Sequence, residues 1–279
     1  IGYITGSYPH PVFGQNGMVV STSRQASIAG IEILKKGGNA IDAACATGFV
    51  LAVTSSSNGN IGGGGFMVVH KENSKIFTLD YREIAPAAAH RDMFLDSNGE
   101  VIDNMSLRTR AASGVPGSVD GLLKAWKDHG SGNISRRELL ASAIALAERG
   151  FELTHYEAKR FNNNKDLFLN NNAAAKIFIR GDRKPWKAGD RFIQKDLART
   201  LKRIAREGRD GFYTGKTADL IIAEMNRGIG LITHEDLLNY ESKYRDPMIG
   251  SFKEYEIISM GLPSSGGTIL IEMLNKLEN

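Results

Sequence analysis

Apolar residues recur at helical spacing over residues 24–36, where Ile28, Ala29, Ile33 and Leu34 share one side, and the run stops at Gly37-Gly38, a pair suited to a left-handed C-terminal cap. Asn39 can cap a second helix, and Asp42 in its first turn favours the positive end. Small apolar residues follow, which predicts a helix buried nearly all round. After a loop at 55–60 come Gly62-Gly63-Gly64-Gly65 and two β-like runs, 66–70 and 75–81, joined through Glu72-Asn73-Ser74, so this stretch reads as a hairpin. Four glycines before a strand call either for a turn with positive φ or for a second backbone at very close range.

Further along, Ser135 and Glu138 form a capping box ahead of Leu139, Leu140, Ala143, Ile144 and Ala147, and Gly150 ends that helix. The polar tracts 162–164 and 170–172 around 167–169 predict a loop-rich or weakly helical surface segment, peripheral to any chemistry. Residues 182–189 read as a loop. In the helix that follows, Leu197, Ala198, Leu201, Ile204 and Ala205 define the buried side, while Lys195, Arg199, Lys202, Arg203 and Arg206 face largely outward. Thr233 and Asp236 can cap a short helix to Tyr240, and residues 254–260 alternate like a strand. A final helix carries Ile269, Leu270, Met273, Leu274 and Leu277 on one side and is still in progress at Asn279, as expected of a fragment. Helices mixed with antiparallel hairpins indicate an α+β fold.

Composition changes this picture little. The chain has 279 residues, 42% hydrophobic and 24% charged, which excludes a disordered tail or a disulfide-built miniature domain. Its longest apolar stretch, 43–53, falls short of the roughly 18 residues needed to cross a bilayer, so no membrane span is expected. The net charge of +4 is a local matter: residues 182–210 hold ten Lys or Arg against five Asp or Glu. No interleaved aromatics or zinc-finger spacing accompany them, so no nucleic-acid partner is expected. Cys45, the only cysteine, lies in the apolar run and reads as a buried inert thiol. The start, Ile1-Gly2-Tyr3, carries no basic and apolar leader, so an export signal is expected to have been removed or never present.

The six histidines, His10, His70, His90, His129, His155 and His234, show no zinc-ligand spacing, and neither a metal nor a cofactor is expected. Residues 261–268 outline a phosphate loop, G-x-x-x-x-G and then Thr268, but Gly267 stands where such a loop needs Lys. Calorimetric titration with ATP and Mg²⁺ is therefore expected to show no saturable micromolar binding; binding that disappears on changing Gly266 would restore the nucleotide reading. Arg82 is the most informative charge. It ends a strand within Asp80-Tyr81-Arg82-Glu83-Ile84-Ala85-Pro86, where its fork could receive a carboxylate, and spacing alone makes a pair with Asp80 or Glu83 the default.

Taken together, the motifs resemble the large subunit of the γ-glutamyltranspeptidases, also called glutathione hydrolases. The resemblance rests on Gly37-Gly38-Asn39-Ala40-Ile41-Asp42-Ala43-Ala44, Gly59-Asn60-Ile61-Gly62-Gly63-Gly64-Gly65-Phe66, Asp80-Tyr81-Arg82-Glu83 with Ala85-Pro86, Gly114-Val115-Pro116-Gly117, Gly211-Phe212-Tyr213-Thr214-Gly215 and Pro263-Ser264-Ser265-Gly266-Gly267, in order along almost the whole chain. Arg24 departs from the His of a Ser-Ser-His stretch, and Leu262 from the first Pro of Pro-Pro-Ser-Ser-Gly-Gly.

The resemblance implies an N-terminal-nucleophile hydrolase with an αββα sandwich. Residues 1–279 would be a single large-subunit fragment, with the C-terminal part and the small subunit lying outside it. It implies maturation of a longer precursor and a Thr nucleophile at the start of the small subunit, so no catalytic residue is assigned to this chain. The implied reaction is attack on a γ-glutamyl amide such as glutathione, through an acyl-enzyme, with transfer to water, an amino acid or a peptide. Of the substrate-contacting positions only Arg82 maps here, as receptor for the glutamyl α-carboxylate. The implied location is periplasmic or secreted. Alternatives are a related acylase, a poly-γ-glutamate depolymerase, or a catalytically inactive scaffold subunit.

Overall fold

The computed structural model describes residues 13–71 and 75–278; the Glu72-Asn73-Ser74 turn and His10 lie outside the described residues. Helix α1 (Arg24–Lys35) is capped by the Ser23 hydroxyl and gives way to Gly37 at φ 85°. Helix α2 (Ala40–Thr54) opens with a reciprocal cap: Asn39 Oδ1 accepts from the Ile41 and Asp42 amides, and Asp42 Oδ2 accepts from the Asn39 amide at 2.8 Å. Its small side chains allow close packing on several sides, and Cys45, Phe49, Val50 and Val53 are fully enclosed. Hydroxyls tie α1 to α2, with Thr54 Oγ1 donating to Ser23 Oγ at 2.8 Å and Thr47 Oγ1 to the Ala26 carbonyl at 3.3 Å.

The hairpin forms as expected. Strands β1 (Phe66–His70) and β2 (Ile76–Asp80) pair antiparallel, from Phe66 opposite Asp80 to His70 opposite Ile76. A third strand, β3 (Lys243–Arg245), joins β2 with Thr78 opposite Arg245. Alternation turns Met67, Val69, Phe77 and Leu79 toward the helical core, whereas Val68 is 44% exposed on the opposite face. Behind the sheet lie α3 (Ser118–His129), α4 (Arg136–Arg149) and α5 (Lys195–Glu207); α2 packs against α1, α3 and α4, and α4 against α5. The Ser135–Glu138 box starts α4, and α5 buries Ala198, Leu201, Ile204 and Ala205 as its pattern requires. A separate hairpin, β4 (Met248–Phe252) and β5 (Tyr255–Ser259), leads into α6 (Ser265–Glu278).

Of the two alternatives for the segment around 162–172, the helical one is realised: residues 155–178 form three short helices, His155–Asn163, Lys165–Leu169 and Asn172–Phe178, the last two without a buried residue. The asparagines are their ends and caps, while Phe161, Phe168 and Phe178 gather with Trp186 and Phe192 into an aromatic cluster. Three aromatics spread over eighteen residues carry more packing area than the short polar tracts suggest.

A buried carboxylate in α3 helps to anchor the C-terminal third. Asp120 in the first turn of α3 accepts from Arg209 Nε at 2.8 Å through Oδ1, and from the Ser242 amide and hydroxyl at 2.9 and 2.6 Å through Oδ2. Arg209 in turn donates to the carbonyls of Leu238 and Tyr240 and lies 4.5 Å over the Tyr213 ring. Replacing Asp120 with Ala leaves a partly buried guanidinium unmatched, so a loss of about 3 kcal/mol is expected. Asp120→Asn, which retains an acceptor, should lose less; equal urea midpoints for wild type and Asp120→Ala would show that the network does not hold this region.

Candidate functional site

Tyr81 and Arg82 continue directly from β2, and the backbone around them is unusually crowded. A Cβ at Gly64 would lie 2.5 Å from the Tyr81 carbonyl oxygen and 2.7 Å from the Glu83 amide nitrogen; one at Gly117 would lie 2.1 Å from that same oxygen. A Cβ at Gly65 would meet the Tyr81 ring at 2.8 Å, and one at Gly121, a turn further into α3, would meet the Tyr81 Cβ at 2.2 Å. No L side chain fits at these four places without movement. Of the two explanations for the glycine run, close approach is therefore the one realised: none of residues 62–65 adopts positive φ. The contact is sealed by backbone bonds, with Gly65 and Tyr81 exchanging amide-to-carbonyl pairs at 3.2 and 3.0 Å, and the Gly63 carbonyl accepting from both Gly117 and Ser118. Burial pushes the Tyr81 phenol up to about 12.

Beyond this cage the chain turns outward, and Arg82 is exposed. Spacing made a pair with Asp80 or Glu83 its default, and neither forms. Asp80 Oδ2 is taken by Arg245 Nε at 2.7 Å, and its Oδ1 accepts the Arg82 backbone amide at 3.0 Å. Among the described residues the Arg82 guanidinium has no carboxylate partner; Nη1 donates to the Pro263 carbonyl at 3.3 Å. The Arg82 carbonyl accepts from the Tyr240 hydroxyl at 2.9 Å, and Tyr240 stacks on Tyr213 with ring centroids 5.7 Å apart. Tyr213 donates to the Pro116 carbonyl at 2.8 Å. The glycine run, Asp80-Tyr81-Arg82-Glu83, Gly114 to Gly117, Gly211 to Gly215 and Pro263 to Gly267 thus converge on one end of β2, although they are scattered over some two hundred residues of sequence.

The loop at 263–267 is shaped by packing. Ser264 Oγ accepts the Gly266 amide at 3.3 Å, and a Cβ at Gly267 would come within 2.2 Å of the Met260 carbonyl oxygen, so the position where a phosphate loop carries Lys is closed by the end of β5. Cys45 is buried, donates to the Leu122 carbonyl at 3.1 Å, and has its thiol pushed far up by burial, as an inert core residue should. His129 stacks on Phe77 at 4.1 Å, and burial, with Lys71 nearby, holds it below the usual imidazole range; His234 meets Asp219 at 3.0 Å. Among the described residues no three His, Cys, Asp or Glu side chains gather as metal ligands.

Arg245 and Tyr240, which fix Asp80 and the Arg82 backbone, were not legible in the sequence. β3 is short, charged and exposed throughout, with no apolar alternation to mark it.

Helices layered on an antiparallel sheet, with a glycine-lined turn at the end of its central strand, are an arrangement this chain shares with solved γ-glutamyltranspeptidases, and with them it has the large-subunit portion of an N-terminal-nucleophile hydrolase fold. The γ-glutamyltranspeptidase family model matches residues 26–279, and the chain belongs to that family. The glutathione hydrolase proenzyme of Pseudomonas aeruginosa is 45% identical over 94% of this chain and 46% of its own length. The crystal structure of Helicobacter pylori γ-glutamyltranspeptidase superposes with a TM-score of 0.93 at 43% identity, covering 96% of this chain and 77% of that one. An acylase proenzyme, ACY 1 of Pseudomonas sp. strain SE83, matches at 36% identity over 96% of this chain and 49% of its own. The chain spans about half the length of the curated relatives it matches. Among the described residues no helix is long and apolar enough to cross a membrane.

The cage makes a prediction. Gly64→Ala sets a methyl group against rigid backbone and should cost about 1 to 3 kcal/mol in urea unfolding. Gly181, where a Cβ meets nothing within 4 Å, is the control, and Gly181→Ala should shift stability by less than about 0.5 kcal/mol. Equal stability of the two variants would show that the approach at Tyr81 can relax without cost.

Proposed function

We propose that this chain, joined to a small subunit cut from the same precursor, forms a γ-glutamyltransferase and glutathione hydrolase, periplasmic or secreted as the family resemblance implies. Residues 1–279 serve as a single large-subunit fragment. The small subunit's N-terminal Thr attacks the γ-glutamyl amide, the amine product leaves, and water, an amino acid or a peptide takes the acyl group from the Thr ester. Arg82 receives the α-carboxylate of the glutamyl donor.

The observation that carries this reading is the unmatched guanidinium. A strand-end Arg beside two carboxylates would ordinarily pair with one of them, yet Arg245 occupies Asp80 and the Arg82 fork, held at Nη1 by the Pro263 carbonyl, meets no carboxylate, which suits it to an external one. A small-subunit surface closing over this exposed position would exclude water and strengthen the contact. Such a fork suits any α-carboxylate donor, so it fits a poly-γ-glutamate depolymerase as well as a glutathione hydrolase; an acylase whose substrate lacks that group has no use for it.

The test uses the two-chain protein purified from the full precursor and a γ-glutamyl anilide. Arg82→Ala should lower kcat/KM by about 30-fold to several-thousand-fold, the equivalent of about 2 to 5 kcal/mol, with little change in melting temperature. Arg82→Lys should recover only part, because an ammonium keeps the charge and loses the planar fork. A donor without the α-carboxylate should be poor for wild type and nearly indifferent to Arg82→Ala. Equal penalties for both donors, together with a lowered melting temperature, would leave Arg82 as a structural residue, and an inactive wild-type pair would indicate a scaffold.

A further inference from the structure

The protein contains a large cavity, about 970 Å³, whose lining includes neither Arg82 nor Pro263. This is the upper range of volumes that hold small organic ligands. Its floor is aromatic: Phe168 and Phe178 stack with centroids 4.7 Å apart, and Phe161 meets Phe178 edge-on at 5.3 Å. Its walls are polar, formed by residues 22–25 at the start of α1, the serine-rich loop 55–58 after α2, and the start of the helix His155–Asn163.

Four charged side chains face this space: Arg24, Glu152, Glu157 and Arg160. Glu157 caps its own helix through Oε2, which accepts from the Thr154 amide and hydroxyl at 2.8 and 2.9 Å and leaves its charge without a cationic partner. Arg160 donates through Nη1 to the Tyr156 hydroxyl at 2.8 Å and lies 5.6 Å over the ring of the same residue, and it has no carboxylate partner among the described residues. The Arg24 guanidinium and the Glu152 carboxylate likewise lack partners there. The cavity therefore presents two arginines and two glutamates around an apolar floor, none of the four in an ion pair.

We propose that this cavity binds a free amino acid or dipeptide with a large apolar side chain. Its carboxylate is received by Arg24 and Arg160, its ammonium by Glu152, and its side chain lies on Phe161, Phe168 and Phe178. Each charge matches one the cavity leaves open, and an aromatic floor rewards a flat or bulky apolar group. The proposal does not depend on the role given to Arg82.

Calorimetry with L-phenylalanine tests it, on the two-chain protein carrying Arg82→Ala so that binding of the carboxylate at Arg82 does not contribute. Saturable binding with Kd at or below about 1 mM is expected. Arg24→Ala and Arg160→Gln should each weaken it about tenfold, and phenylacetate, which lacks the ammonium, should bind more weakly than phenylalanine while losing its sensitivity to Glu152→Gln. Arg24 is exposed, so its variant should keep the wild-type melting temperature even if Arg160→Gln does not fold. Absence of saturable heat up to about 10 mM, or affinity unchanged by Arg24→Ala in a folded protein, would overturn the proposal.

Discussion

The architecture around Arg82 depends on how closely three backbones approach at Tyr81. Its carbonyl oxygen lies where Gly64 and Gly117 would each place a side chain, and its ring fills the space left by Gly65 and Gly121. Such proximity is a steric condition before it is an energetic one: a single methyl group at any of the four positions collides with backbone or ring. Once it is met, the polar groups follow, because Gly63, Gly65, Tyr81, Gly117 and Ser118 are brought within hydrogen-bonding range and satisfy one another. The start of α3 is thereby fixed against the end of β2, and the direction in which the chain leaves the cage sets the place of Arg82.

Fixing the position of a cation does not keep it available, and that second task falls to the carboxylates. Asp80 is nearly buried and saturated, with one oxygen on the Arg82 amide and the other on Arg245. Asp120 does the same further back, holding Arg209 and Ser242 so that Tyr240 reaches the Arg82 carbonyl. In both cases an Arg from the C-terminal third neutralises an Asp from the N-terminal half. These pairs close the chain on itself across more than eighty residues, so the half-buried ionic contacts act in topology as much as in energy.

This division explains what the sequence revealed. The caps at Asn39, Ser135 and Thr233, the hairpin and the amphipathic α5 are local: period, cap and breaker lie within a dozen residues, and each was legible. The glycine run announced a constraint but not its kind, since positive φ and close approach leave the same letters; only the position of Tyr81 distinguishes them. Arg82 could be singled out by its place at a strand end, yet its spacing pointed to the wrong partners, because Arg245 lies on a three-residue exposed strand with no pattern of its own. The aromatic cluster at 161–192 was hidden for a related reason. Its rings come from separate short helices and loops, and no window of sequence holds enough of them to read as one core.

The pairing of Asp80 with Arg245 is best understood as a competition decided in advance. Asp80 lies two residues from Arg82 and already accepts its amide, so the Arg82 guanidinium is an alternative cation for the remaining carboxylate oxygen. An intramolecular partner at that range has an effective concentration that a dissolved carboxylate ligand cannot match. Arg245, delivered by the register that sets Thr78 opposite it, occupies that oxygen first and removes the competitor. The strand pairing of β2 with β3 is thus linked to the pairing of Arg82: a shift of register by one residue would carry Arg245 to the other face of the sheet and release Asp80 to its neighbour. The lack of a carboxylate partner at Arg82 is a property of the whole sheet, set by the register of a three-residue strand.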